Sequence, residues 1–278
     1  SIIKSTYQAV YGLKPAIIAS SQDVCGVKII EKLVENHGFH EVSPGVYSNG
    51  DVKAFVLRGS VLWADDVVAS LDADYYVVAS KHVSSSGVKC LLVHSTGNWG
   101  ESATYGGKPF TLSATSTTLV WRVYISLKKS VETMGLTGVE VGFEATHHGP
   151  YSEKPLVFVE VGSDINSWLD DSLTAAAAAA CVESCKPWSK TNAVHAVGFG
   201  GGHYARDMVR AVDEGGFAVG HIAAKHHFPL RADLFRQAFE KTFEKPKTAL
   251  LDWDGLKSEH RAWLLEKLRD LGVEVIRV

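Results

Sequence analysis

The stretch VEVGFEATHHGP, residues 139–150, joins a β-rich run to two adjacent histidines and a Gly-Pro break. The run predicts a strand, and Gly149 and Pro150 predict its end, because glycine adopts unusual dihedrals and proline biases its predecessor away from helix. Neighbouring side chains of a strand point to opposite faces. We therefore expect His147 and His148 to present imidazole to one pocket only where the strand has already ended.

Comparable apolar, β-rich runs alternate with helical patterns along most of the chain, which is typical of strands joined by crossover helices. Ten runs are strand candidates: PAIIAS, VKAFVL, YYVVAS, VKCLLVH, VEVGFEAT, LVFVEV, AVHAVGF, FAVGHI, TALLD and VEVIRV. Helices are predicted at residues 24–36, 116–134, 165–185, 204–213, 232–243 and 258–271. The pattern predicts an α/β fold with one broad, mostly parallel (mixed) sheet and helices on both faces.

The 278 residues, 46% of them hydrophobic, can bury a substantial core. We find no long Pro, Gly or Ser linker and no internal repeat, so we expect residues 1–278 to form a single elaborated domain. The first twenty residues lack an unbroken apolar run, and no later stretch is long enough to span a bilayer. These features predict a soluble, cytoplasmic protein.

The four cysteines form no CxxC pair, so we expect reduced, mostly buried thiols rather than a disulfide framework or a structural zinc module. Cys181 and Cys185 lie one helical turn apart, a spacing that also suits a metal, although simple packing is favoured. The net charge is −3, and residues 225–278 carry a net charge of +2. This asymmetry permits a local RNA-facing patch without requiring one.

Five of the twelve histidines fall at or just after predicted strand ends: His94, His147, His148, His203 and His221. Ligands of open α/β sheets collect at the carboxyl ends of the strands, where loops and helix N-termini converge. A single histidine there is usually structural, but four strand ends with histidines favour a shared site. Glu144 and His148, four residues apart, are expected on one strand face, where the carboxylate can join a metal site or fix the histidine tautomer.

Two loops add polar groups to this predicted site. GFGGGHY (198–204) fails the GxGxxG pattern, yet its small residues before a helix allow backbone amides to approach an anion. HSTGNWG (94–100) offers Thr96 and Asn98 for hydrogen bonding. Trp99 in that loop can stack on a base or cover the core, and the sequence leaves both open.

The chain has no GxSxG, GxxxxGK[ST] or HExxH motif. Water is therefore the expected nucleophile, activated by histidine with a carboxylate or by a metal held by two or three histidines. Imidazole and carboxylate ligands without thiolate suit zinc.

The same segments resemble the archaeal and plant type of D-aminoacyl-tRNA deacylase. The resemblance covers roughly residues 20–278 in motif order and rests on HSTGNWG (94–100), YGG (105–107), EATHHGP (144–150), FVEVGS (158–163), GGGHYA (200–205) and GHI with Lys225 (220–225). It implies hydrolysis of the ester between a D-amino acid and the terminal ribose of tRNA. It also implies two zinc ions, a monomer, and a fold like that of phosphorylases and peptidyl-tRNA hydrolases.

Six residues carried over by motif would form the site, and we assign their roles as hypotheses. The catalytic residues would be Glu144, His148 and His203, and the metal ligands His94, His147 and His221. Substrate would be bound by Thr96, Asn98, Trp99, Gly200, Gly201, Gly202 and Lys225. The amides of Gly200–Gly202 would stabilise the oxyanion, and Lys225, Arg231 and Arg236 would neutralise tRNA phosphates.

Three other functions remain open at this point. A zinc-dependent peptidase or amidohydrolase would use the same imidazoles on an amide. A phosphorylase-like nucleoside enzyme would need phosphate for cleavage. A non-catalytic tRNA-binding module would retain tRNA without turnover.

Overall fold

The predicted strands and helices are arranged around two main β-sheets in a computed structural model that describes residues 12–187 and 191–278. In chain order the strands are β1 (Pro15–Ser20), β2 (His40–Ser43), β3 (Val46–Ser48), β4 (Lys53–Leu57), β5 (Tyr75–Lys81), β6 (Cys90–Ser95), β7 (Gly97–Asn98), β8 (Thr111–Leu112), β9 (Glu140–Phe143), β10 (Leu156–Gly162), β11 (Val194–Phe199), β12 (Phe217–Ala223), β13 (Thr248–Leu251) and β14 (Glu274–Arg277). The helices are α1 (Val24–His37), α2 (Asp65–Ser70), α3 (Thr117–Thr133), α4 (Ile165–Trp168), α5 (Asp171–Cys185), α6 (Arg206–Gly215), α7 (Ala232–Glu240) and α8 (Ser258–Asp270).

The broad sheet has eight strands in the order β2-β3-β4-β1-β5-β10-β6-β9. Its centre is parallel from β4 through β1 and β5 to β10. The pair β6 and β9 runs antiparallel to β10, and the β2–β3 hairpin adds antiparallel strands at the other edge. The predicted broad, mixed sheet is confirmed.

Four of the ten predicted strands form a second sheet instead. It has the order β12-β11-β13-β14 and is parallel throughout. Strands of this second sheet still pack into the main core, where Val219 of β12 and Leu250 of β13 join Val159 of β10. Residues 1–11 and 188–190 of the predicted domain lie outside the described part of the chain.

Alternating side chains give the broad sheet two buried faces, as period-two geometry requires. Ile17 and Val77 face a core built with α1, α3 and α5. Their neighbours Ile18 and Val78 face the other side, which α2 and a short 3-10 turn (Val61–Trp63) cover. Helical structure therefore lies on both faces, as predicted.

The structure differs from two of the predicted secondary-structure elements. The helix predicted at residues 165–185 is two helices, because the Asp170 carboxylate accepts hydrogen bonds from the Ser172 and Leu173 amides and so caps a new helix. The strand predicted at residues 139–146 ends at Phe143. The hairpin β2–β3 and the helix α2 were not predicted.

The four cysteines are free and buried, as predicted. Burial raises the pKa of Cys181 to about 12 and that of Cys185 well above its usual value. These thiols of α5 therefore stay protonated and serve as packing groups. No helix among residues 12–187 and 191–278 combines the length and apolarity that a bilayer crossing needs.

Candidate active site

Imidazole and carboxylate side chains meet on the α2-covered face of the broad sheet. Glu160 of β10 and His94 of β6 are buried on this face, in the alternation that also places Phe158 there. His82 directly follows β5 and, because side chains alternate, lies on the same face as Tyr76 and Val78 of that strand. Because β6 runs antiparallel to β10, the carboxyl ends of these strands point opposite ways. The residues therefore converge above this sheet face, beside the carboxyl ends of the parallel strands β1 and β5, whose last residues Ser20 and Lys81 line the same cavity.

The residues after β9 complete the group. The strand has ended before His147 and His148, as expected, and His148 adopts a left-handed backbone conformation with φ 44°. This lets both adjacent imidazoles reach one cavity of about 510 Å³. Its lining comprises Ser20, Gln22, Asp23, Ser60, Val61, Leu62, Ser80, Lys81, His82, Val83, Tyr105, Glu144, His147, His148, Glu160 and His203.

Glu144 is a buried carboxylate held by two imidazoles. His203 Nε2 lies 2.8 Å from Glu144 Oε1, and His82 Nδ1 lies 3.3 Å from the same oxygen. Burial would raise the pKa of Glu144, as would the charge of Glu160, yet hydrogen bonding to His203 and His82 lowers it. The second oxygen, Oε2, is buried without a hydrogen-bond partner in the described chain.

Glu160 is a second buried carboxylate with imidazoles around it. His82 Nδ1 lies 3.4 Å from Oε2, while the Nε2 atoms of His94 and His148 lie 3.4 Å and 3.8 Å from Oε1. Burial would raise the pKa of Glu160, but these imidazoles hold it well below its usual range. Burial alone would lower the pKa of His82, and the two carboxylates instead raise it to about 11.

The tautomers of three histidines follow from their backbone contacts. His94 Nδ1 lies 3.1 Å from the Ser95 carbonyl, His147 Nδ1 lies 2.7 Å from that of Ala145, and His148 Nδ1 lies 2.6 Å from that of Gly149. A carbonyl oxygen only accepts, so each Nδ1 carries a proton. The three Nε2 atoms are thereby left to bind a proton or a metal, and such outer contacts to the backbone are typical of metal-bound histidine.

Three groups of side chains among residues 12–187 and 191–278 bring donor atoms within 4.8 Å of one another. They are His94 with His147 and His148, Glu144 with His147 and His203, and His82 with Glu144 and Glu160. The buried Nε2 of His94 has no hydrogen-bond partner in this part of the chain, and the nearest carboxylate oxygen is that of Glu160. Nitrogen and oxygen donors with orphaned buried atoms fit zinc.

Of the six residues predicted to form the site, the structure brings five together: Glu144, His148, His203, His94 and His147. The pairing expected between Glu144 and His148 is wrong, because the strand that would align them ends at Phe143. Instead Glu144 contacts His203, and His148 faces Glu160.

His221 does not join the group, and its prediction as a metal ligand is corrected. Its Nε2 lies 3.0 Å from the Ser113 carbonyl and its Nδ1 lies 3.1 Å from Thr146 Oγ1. Both ring nitrogens are therefore engaged in the protein interior, and burial lowers the pKa of His221 to about 3.

The predicted substrate contacts of the 94–100 loop are structural in this fold. Thr96 is fully buried, and its hydroxyl donates within the interior to Ser113 and to the Pro150 carbonyl. Asn98 donates to the carbonyls of Gly106 and Lys108. Trp99 is only 4% exposed and belongs to a second hydrophobic cluster with Phe199 of β11 and Leu234 of α7, so it is not free to stack on a base.

Gly200, Gly201 and Gly202 do not line the cavity, although His203, directly after them, does. The Gly200 amide donates to the Ala223 carbonyl, and the Gly201 carbonyl accepts from the Lys225 amide. A Cβ at Gly200 would lie only 2.8 Å from the Asp252 carbonyl oxygen, so this glycine permits close packing. Gly202 and Lys225 are exposed outside the cavity. The predicted oxyanion role of Gly200–Gly202 is therefore not supported.

Sequence reasoning missed His82 and Glu160. His82 directly follows the strand run YYVVASK, so the same strand-exit rule applied to it would have found it. Glu160 is a lone carboxylate in the fully buried strand LVFVEVG, within the motif FVEVGS. A charged residue in a strand buried on both faces needs partners, and this was the available signal.

Comparisons with known proteins cover the segments that form this site. The family model described as D-aminoacyl-tRNA deacylase matches residues 69–276. The D-aminoacyl-tRNA deacylase of Thermococcus onnurineus is 33% identical over 94% of this chain and 98% of that protein. The D-aminoacyl-tRNA deacylase of Ignicoccus hospitalis is 39% identical over 75% of this chain and 83% of that protein.

A solved structure supports the fold. The crystal structure of AF0625, a conserved protein of unknown function, superposes with a TM-score of 0.87 at 26% identity. It covers 96% of this chain and 95% of that one. The motifs predict the same assignment that the family model and the relatives give: the chain belongs to the D-aminoacyl-tRNA deacylase family of enzymes.

Proposed function

We propose that this chain hydrolyses the ester bond of D-aminoacyl-tRNA and releases the free D-amino acid and tRNA. The observation that carries the proposal is that four imidazoles line one cavity of about 510 Å³ together with Glu144 and Glu160, while the buried His94 lies 3.4 Å from Glu160. Family membership supports the substrate. Since charged tRNA is a cytoplasmic molecule, we propose that the enzyme acts in the cytoplasm.

The donor sets support zinc as a cofactor, with up to two ions. His94 and His147 would hold one ion through their Nε2 atoms, and Glu160 with His82 would contribute to a second, which leaves His148 and His203 for acid-base chemistry. His221 is not among these ligands, since its nitrogens bond to Ser113 and Thr146. A zinc ion held there would supply Lewis acidity toward the ester carbonyl and the attacking water.

The side chains themselves supply acid-base chemistry. Glu144 Oε2 has no hydrogen-bond partner in the described chain, so we propose that it accepts the proton of the attacking water. His203 contacts the other oxygen and would orient the carboxylate. His148, placed between Glu160 and the cavity, would then donate a proton to the leaving ribose oxygen.

The decisive experiment measures metal content and deacylation together. Purified protein is assayed on D-tyrosyl-tRNA and L-tyrosyl-tRNA before and after chelation, with zinc added back. We expect about one or two zinc ions per chain, preference for the D substrate, and loss of more than about 100-fold in rate on chelation. Faster cleavage of peptides or N-acyl amino acids would assign an amidohydrolase instead.

A variant separates catalysis from folding. His203→Ala removes the imidazole that contacts Glu144, and we expect at least a roughly 100-fold loss of deacylation. The His203 side chain is 34% exposed, so the variant should still unfold in one cooperative transition, at a melting temperature lowered only by the lost contact to Glu144. His40→Ala, an exposed histidine on β2, is the matched control. Unfolding of the His203 variant would instead indicate a structural histidine.

A further inference from the structure

Two large aromatic side chains near the cavity are unusually exposed. Trp63 is 60% exposed and Tyr105 is 69% exposed. Aromatic side chains carry much apolar area, and folded proteins bury most of it. Two such rings beside one cavity are therefore candidate contacts for a ligand that enters it.

The backbone that presents Tyr105 is firmly attached to the site. Tyr105 lines the cavity, and its carbonyl accepts a hydrogen bond of 3.0 Å from the Gly149 amide, directly after His148. Asn98 Nδ2 donates to the Gly106 carbonyl at 2.9 Å. The ring of Tyr105 is thus exposed on a loop that the fold holds in place.

Trp63 is carried by a segment that touches the Tyr105 loop. It ends the 3-10 turn whose first two residues, Val61 and Leu62, line the cavity. Gly106, with φ +83°, packs so closely on the Leu62 carbonyl that a Cβ there would overlap it. The two exposed aromatics therefore come from adjoining segments at one side of the cavity.

If the proposed function is correct, the chemistry of the substrate determines which part of the tRNA lies on this side of the cavity. The ester of an aminoacyl-tRNA joins the amino acid to the ribose of the terminal, unpaired nucleotide. When the ester carbon reaches Glu144 and His203, the attached nucleotide has to connect to the rest of the tRNA outside, so we place its base at the cavity mouth. Unpaired bases stack on aromatic side chains in RNA-binding proteins.

We propose that Tyr105 and Trp63 form a stacking platform for the unpaired 3′-terminal nucleotides of the tRNA substrate. Tyr105, which lines the cavity, receives the terminal base, and Trp63 receives the base before it. Stacking does not depend on phosphate charge, so it gives a chain with a net charge of −3 a means to bind the RNA end.

The test compares two substrates that share the ester and differ in the nucleotides. Tyr105→Ala and Trp63→Ala are assayed on D-tyrosyl-tRNA and on D-tyrosine methyl ester, which has no base. We expect each variant to raise KM for the tRNA substrate roughly tenfold with little change in kcat. The ratio of kcat/KM for tRNA to that for the methyl ester should fall by about the same factor.

Two further variants identify the cause. Tyr105→Phe keeps the ring and should restore KM, while Phe243→Ala removes an exposed aromatic that lies outside the cavity and should leave both substrates unaffected. An unchanged ratio in Tyr105→Ala and Trp63→Ala, with an active parent enzyme, would overturn the platform alone. A parent enzyme without activity on D-tyrosyl-tRNA would overturn the proposed function itself.

Discussion

At the scale of single residues, His221 illustrates how burial decides the state of an imidazole. Burial, with a further contribution from the charge of Lys241, lowers its pKa to about 3, against the opposing hydrogen bond to the Ser113 carbonyl. The ring is therefore neutral in the folded protein at neutral pH. In the unfolded chain it would take up a proton near its ordinary pKa of about 6.5.

This difference predicts an acid-sensitive stability. The unfolded state binds one proton more than the folded state. The stabilising contribution of the neutral His221 ring is therefore present above about pH 6.5 and is lost as pH falls from there towards 3. When pH falls from 7 to 5, the unfolding free energy of the parent should decrease by about 2 kcal/mol because of His221, at 1.36 kcal/mol per pKa unit. Urea unfolding at both pH values measures this loss.

His221→Gln removes the titrating ring, so its stability should fall less over this pH range than that of the parent. His40→Gln changes an exposed histidine and serves as the control, with the parent's pH dependence. Equal losses in the parent and in His221→Gln would contradict the assignment of a neutral, structural His221.

At the scale of elements, α1 and the sheet meet at Gly26. A Cβ at this position would lie 2.9 Å from the Ala79 carbonyl and 3.3 Å from Ala19 Cβ. Real Cβ atoms do not approach backbone so closely, so the glycine allows the helix to pack directly on β1 and β5. This contact also positions Asp23, which caps α1 and lines the cavity.

Gly26→Ala should therefore destabilise the protein although alanine favours helix by about 1 kcal/mol. Overpacking typically costs about 1–3 kcal/mol, so we expect a net loss of about 1 kcal/mol in unfolding free energy. Denaturant unfolding provides the measurement. Gly100→Ala is the matched control, because a Cβ there meets nothing within 4 Å. Greater stability of the Gly26 variant would contradict close helix-sheet packing.

At the scale of the whole molecule, both sheets contribute to one hydrophobic core. We propose that residues 1–278 form a single domain and act as a monomer. Calorimetry should then show one transition with equal calorimetric and van't Hoff enthalpies, for a species of 30.1 kDa. Two separate transitions, or the mass of a dimer, would contradict this.

The overall charge predicts how the protein engages the tRNA body. With 28 Lys and Arg against 31 Asp and Glu the chain has no net positive charge, and we propose that the exposed Lys225 contacts phosphate. Arg231 is less available, because its guanidinium already pairs with Asp233 at 2.9 Å. Arg236 is exposed on α7 and remains a proposed contact.

A salt series tests this assignment. Plots of log kcat/KM against log salt concentration should have a shallow slope, and Lys225→Gln should reduce its magnitude by about one. Arg231→Gln should change the slope less. Equal slopes in the parent and in Lys225→Gln would remove Lys225 from the tRNA interface.

Much of the fold and part of the candidate site follow from the amino-acid sequence. Apolar, β-rich runs identify six of the eight strands of the broad sheet, all four strands of the second sheet and most helices, because periodicity and turn residues act over short windows. The Gly-Pro break after His148 correctly predicts that the strand ends before the paired histidines. The motif set predicts the family, which the relatives confirm.

The tertiary structure alone decided which strands pair and which face each side chain occupies. Strand β6 pairs antiparallel with β10, and this pairing brings His94 close to Glu160. No local sequence pattern encodes it. The same long-range packing encloses Trp99 and His221 in the interior. Strand propensity depends on neighbours in sequence, whereas partner and burial depend on residues far apart along the chain, so only the assembled fold separates buried structural histidines from those that face the cavity.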